Sequence, residues 1–151
     1  MELSSPTFLA PLIVIGSLFA FVAFWAFVVT IVGRFSGWHR LAQDFEATRQ
    51  PNGQTLGWKS MRFGFSGNYN GTVNITPSFE GLHLQTVLPF RVGHKPLLIP
   101  WEYITLGEPQ SVLLGKSISA EIAPKYGGSA TKISFYGQNV IDALQKHANS
   151  F

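Results

Sequence analysis

The sequence predicts a single N-terminal transmembrane α-helix followed by one mainly antiparallel β domain that ends in a helix. Three observations carry this expectation. No charged residue occurs from residue 3 through residue 33. From Thr55 onward the apolar pattern switches from a helical period to a period of two. From Gln138 the helical period returns for one short segment.

The first element is the run LAPLIVIGSLFAFVAFWAFVVTIV at residues 9–32. As a helix it would be roughly 36 Å long, against a hydrocarbon core of about 30 Å, so it spans a bilayer with some tilt. A core helix would carry a polar stripe, and none is present. A cleaved signal needs a basic start and a shorter apolar run; here only Met1-Glu2-Leu3-Ser4-Ser5 and a few further residues precede it, without Lys or Arg. The expected divisions are a short tail at 1–8 and a transmembrane helix at 9–33. Pro11 falls in the first turn, where a missing N–H costs little. Gly16, Ala20 and Ala23 form a small-residue face, a candidate helix–helix contact and a route to a homo-oligomer. Trp25 lies deeper than an interfacial belt position and is a candidate to pack on a partner helix. Arg34, Arg40 and Arg49 follow the span and no basic residue precedes it. The positive-inside rule then predicts a single-pass protein of the cell (inner) membrane with the N-terminus outside and the C-terminal domain in the cytoplasm.

Residues 36–49 read as a juxtamembrane amphipathic helix. Trp38, Leu41, Ala42 and Phe45 recur at i, i+3, i+4 and i+7, Ser36 is the expected N-cap, and Gln50-Pro51-Asn52-Gly53 stops the segment. Asp44 and Glu46 make it a poor match to a basic surface helix, so its stripe is expected on the following domain.

The β domain occupies 55–151. Alternating segments at 61–65, 72–76, 82–85, 97–106, 112–114, 118–122 and 131–135 give about seven strands, with Pro100 as an edge or corner. In the closing helix, Val140, Ile141, Leu144 and Ala148 form the stripe. Gly137 or Asn139 caps its start, and Lys146 and His147 sit in its last turn, where the helix dipole favours cations. Such a helix buries its stripe on the sheet most economically by plugging an open barrel end.

That order of elements resembles the pleckstrin-homology-like (PH-like) superfold. The run Pro96-Leu97-Leu98-Ile99-Pro100-Trp101-Glu102-Tyr103-Ile104, with the turn Glu80-Gly81-Leu82 before the third strand, resembles a strand of PH-like domains in membrane-anchored bacterial proteins. The resemblance implies a seven-stranded barrel capped by a C-terminal helix, acting as a binding or scaffold module. Phosphoinositide-binding members cluster basic residues across the first hairpin. Here Lys59 and Arg62 lie on the strand, but 66–71 contains no basic residue, so the chain departs from that pattern.

The totals exclude several functions. Cysteine is absent, which removes disulfides, thiol catalysis and thiolate metal sites. A net charge of +3 from scattered residues is no nucleic-acid footprint, so no nucleic-acid partner is expected. His39, His83, His94 and His147 share no metal-ligand spacing, and no cofactor is expected. Glu80, Glu102, Glu108 and Glu121 form no acid–base pattern, Ser66 and Ser117 have no nucleophile-elbow setting, and Gly127-Gly128 has no phosphate-loop context. The chain is therefore expected not to be an enzyme. One polar cluster stands above background: Arg91, His94 and Lys95, in the loop between Pro89 and Pro96, a candidate anion contact to lipid headgroups or an acidic partner. Expected partners are the lipid bilayer and a membrane or cytoplasmic protein. The second reading is an accessory or assembly subunit of a larger membrane complex, contacted through the helix.

Overall fold

A computed structural model describes residues 6–65 and 67–151, and of residues 6–8 the backbone alone. The tail at 1–5 and Ser66 lie outside the described residues. The elements are α1 (Pro6–Phe35), α2 (Trp38–Phe45), β1 (Leu56–Phe63), β2 (Gly67–Pro77), β3 (Leu82–Thr86), β4 (Leu97–Ile99), β5 (Ile104–Leu106), β6 (Gln110–Val112), β7 (Gly115–Ile122), β8 (Thr131–Tyr136) and α3 (Gln138–Ala148).

Among the described residues one helix, Leu9–Phe35 within α1, is long and apolar enough to cross a membrane. Its side chains from Leu9 to Phe24 are exposed all round, as a lipid-facing helix requires. α1 stops at the Gly37 corner, whose φ of 91° is open to glycine and strained for other residues. Gly37 also occupies the cap of α2, with no side-chain cap bond. Ser36 is therefore not the N-cap that its residue type suggests; its hydroxyl is committed elsewhere.

The strands form one antiparallel sheet in the order β4-β3-β2-β1-β8-β7-β5, with β6 paired to β7. There are eight strands rather than seven, because the segment 97–106 breaks in two. Pro100 has no N–H to donate to a ladder, and Trp101–Tyr103 turns a corner as a 3-10 helix between β4 and β5. That corner also corrects the expected barrel: the edge strands β4 and β5 adjoin in sequence but do not pair, so the sheet rolls without closing. The corner is filled instead of hydrogen-bonded across. Trp101 Nε1 donates to the Ser78 carbonyl at 2.8 Å, and the Tyr103 ring meets Phe45 at 5.1 Å. The segment 112–114 is also shifted: β6 ends at Val112, and Leu113 and Leu114 form the exposed turn into β7.

Both short helices bury their stripes on this sheet. Val140, Ile141 and Leu144 of α3 are fully buried and pack across β2, β7 and β8. Trp38, Leu41, Ala42 and Phe45 of α2 belong to the same core as Met61, Phe63, Ile75, Leu84, Ile118 and Phe135. The core therefore extends beyond 55–151 to include α2. The chain after α2 stays on the sheet: Glu46 bridges Leu97, and the Ala47 amide donates to the Pro96 carbonyl at 2.8 Å.

Candidate functional site

The last three turns of α1 do not stand free. Val29, Gly33 and Ser36 are buried and Trp25, Ala26 and Thr30 are half-buried, a single face at helical spacing. What that face meets is the loop between β3 and β4, running alongside it. The Trp25 ring packs on Phe90 with centroids 5.8 Å apart, so its neighbour is this chain's own loop. Gly93 lies against Thr30, and His94 against Gly33. The contact is close because both partners lack bulk there. A β-carbon on Gly33 would lie 2.8 Å from Cε1 and Nε2 of His94, and one on Gly67 would collide with the Ser36 side chain.

A hydrogen-bonded chain runs through this joint. Ser36 Oγ and Tyr69 Oη are 2.7 Å apart, Tyr69 Oη and His94 Nε2 are 2.9 Å apart, and His94 Nδ1 lies 3.0 Å from the Val92 carbonyl. Its direction follows from the inventory of donors. A carbonyl only accepts, so Nδ1 carries the hydrogen, and a neutral ring then offers Nε2 as acceptor. Tyr69 donates to that nitrogen, which leaves its oxygen to accept from Ser36. Burial pushes the Tyr69 hydroxyl up to about 12, against the smaller opposing effect of its Ser36 bond. Burial likewise holds His94 below the ordinary imidazole value, with backbone hydrogen bonds opposing it. Trp38 seals the group: its ring lies 5.4 Å from His94 and 5.5 Å from Tyr69, and its Nε1 donates to the Lys95 carbonyl at 2.8 Å.

Beside this joint opens a cleft of about 590 Å³, lined by Arg34, His39, Gln85, Arg91, His94 and Lys95 among others. No acid lines it. Arg91 is steered by neutral acceptors, the Thr86 carbonyl and Gln85 Oε1, both at 3.2 Å, so its charge is not cancelled. Lys95 pairs with Glu46 at 2.7 Å, both half-exposed; such a pair is worth little and yields readily to a competing anion.

All three residues of the cluster that the sequence groups together line the cleft, but not alike. Arg91 and Lys95 bring their charges to it, whereas His94 is buried with both ring nitrogens engaged. Arg34, which the sequence marks only for orientation, joins them from the helix. Ser36 and Tyr69 carry no sequence signal of a joint, since 33 residues separate them. Gly16, Ala20 and Ala23 lie on the exposed part of α1, and nothing lies within 4 Å of a β-carbon placed on Gly16. Among the described residues no group of three His, Asp or Glu side chains could hold a metal ion. Comparison with known families, curated proteins and solved structures gave no match to this chain.

Proposed function

We propose that the chain is a single-pass membrane protein whose PH-like domain acts as a non-catalytic binding module at the inner leaflet, taking the phosphate of an anionic lipid in the cleft beside its anchor. The observation that carries the reading is the acid-free cleft at the base of α1, where Arg34 comes from the helix and Arg91 and Lys95 from the domain. A cation beside an anionic leaflet contributes about 1 kcal/mol, screened by salt. Two or three such groups cannot hold a soluble protein on a membrane, but they select a headgroup for a domain already tethered there. The rolled antiparallel sheet with α3 packed across it supports the PH-like assignment through its order of elements, while the unpaired β4 and β5 edges depart from a closed barrel.

The test uses the full chain in neutral detergent, titrated with phosphatidylglycerol or phosphatidylcholine and read by native mass spectrometry. Replacing Arg91 and Lys95 together by Ala is expected to weaken phosphatidylglycerol binding roughly tenfold and to leave phosphatidylcholine binding unchanged. Equal effects on the two lipids would overturn the reading.

A further inference from the structure

We propose that the tip of the β3–β4 loop, Leu88 with Phe90 and Val92, enters the boundary between headgroups and acyl chains beside α1, so that the membrane is held by an apolar loop as well as by the anchor. The inference rests on the reading of α1 as a membrane span.

The loop climbs the helix. His94 lies at Gly33, Gly93 at Thr30 and Phe90 at Trp25, so each step back along the loop moves further from the Arg34 end. At about 1.5 Å per residue, Trp25 lies roughly 13 Å along the axis from Arg34. A headgroup layer is about 5–7 Å thick on each side, the difference between a bilayer of about 40–45 Å and its core of about 30 Å. α1 has 30 residues and is therefore about 45 Å long, the thickness of the whole bilayer. With Arg34 at the outer edge of the headgroups, Phe90 then sits several Å inside the hydrocarbon boundary, within the depth of about 5–10 Å that interfacial apolar groups reach.

Sliding the helix outward until the loop reached water would strip lipid from the other face of the same turns. Phe27 is 63% exposed there, and Phe24 is 66% exposed about one turn further in. These side chains need an apolar cover at the level of Phe24 to Phe27, and the cover that suits them reaches Phe90 on Trp25 as well. The loop is built for it. Leu88 is 68% exposed and Val92 44%, and no charge interrupts Val87-Leu88-Pro89-Phe90. Arg91 does not oppose entry, because its guanidinium bonds Gln85 and the Thr86 carbonyl and lines the cleft with Arg34. Its stem can lie along the apolar tip while its head stays polar.

The absence of cysteine makes the test direct. Single-cysteine variants Ile15→Cys, Leu88→Cys and Ser150→Cys of the full chain carry a nitroxide label and are reconstituted in vesicles. Collisions with oxygen and with a water-soluble nickel chelate are then compared. Labels at 15 and 88 are expected to favour oxygen severalfold over the label at 150, which lies on the exposed C-terminal end. If 15 favours oxygen while 88 matches 150, the loop proposal fails and the span stands. If 15 also matches 150, the span reading fails and the loop proposal with it. Should Leu88→Cys fail to fold, Val92→Cys takes its place with the same criterion.

Discussion

At the scale of single residues, His94 joins the helix to the domain, and its protonation state is part of that joint. Its neutral ring gives Nδ1–H to Val92 and takes the Tyr69 hydrogen at Nε2. A second ring proton would force the chain to reverse, with Tyr69 donating to Ser36 and Ser36 to the Gly33 carbonyl at 3.4 Å, and among the described residues no acid lines the adjoining cleft to stabilise the cation. His83 is also buried, with its Nδ1 lacking a partner, and burial lowers its pKa too. In the unfolded chain both rings titrate near 6.5. A base whose folded pKa is depressed keeps its full stabilising effect above the unfolded value. As the pH falls below about 6.5 the unfolded state binds protons that the folded state refuses, so stability falls by up to about 1.4 kcal/mol per pH unit and per histidine until the folded value is reached. The thermal midpoint in detergent is therefore expected to drop between pH 7 and pH 5. His94→Gln should lower the midpoint at pH 7.5, since bonds are lost, yet show a shallower decline toward pH 5. An unchanged slope would mean that His94 is charged in the fold.

Among the elements, α2 is the one whose role decides where the domain begins. Its charged residues lie on one side and its stripe is wholly buried, so it is core rather than linker. Burying Trp38, Leu41 and Phe45 is worth roughly 1.5–3 kcal/mol each, a large share of the 5–15 kcal/mol typical of a domain. The fragment 36–151 is expected to unfold in one cooperative transition, whereas 55–151 should be far less stable or unfolded at room temperature. Urea titrations followed by circular dichroism would check this, and equal midpoints would remove α2 from the core. The three helices are legible in the sequence because their periods persist over several turns: the uncharged run, the stripe from Trp38 to Phe45, and that from Val140 to Leu144. β1 is legible only from Met61. Its first half contains a bulge with Trp58 at φ 55°, and a bulge breaks the alternation that marks a strand. The joint is not legible for a different reason. Ser36, Tyr69 and His94 meet only through tertiary packing, which leaves no spacing to read. Arg91, His94 and Lys95 stand out as a cluster because they adjoin in sequence, and all three line the cleft, but the burial of His94 and the pairing of its two ring nitrogens leave no mark in that spacing.

For the whole molecule, the reading of α1 as a membrane span predicts the side on which the domain lies. The fold adds to the flanking-charge argument by gathering distant basic residues at the same end of α1. Arg34, Arg91 and Lys95 line one cleft there, and Arg34, Arg40 and Lys132 line another of about 210 Å³. Arg49 contributes less than its position suggests, since it is paired with Glu80 at 2.7 Å. Of these cations Arg34 and Arg40 lie within the roughly 20 residues of the span over which basic side chains bias a flank to the cytoplasmic side, whereas no Lys or Arg precedes α1 in this sequence. An anionic inner leaflet also favours the cationic face by about 1 kcal/mol per residue near the surface. The domain is therefore expected on the cytoplasmic side with the N-terminus outside. The Ser150→Cys variant reads this without fusion partners, because Ser150 is exposed and no other thiol exists. A membrane-impermeant maleimide should label it only after the cells are permeabilised. Labelling at full yield in intact cells would reverse the topology and move the proposed lipid contact to the outer leaflet.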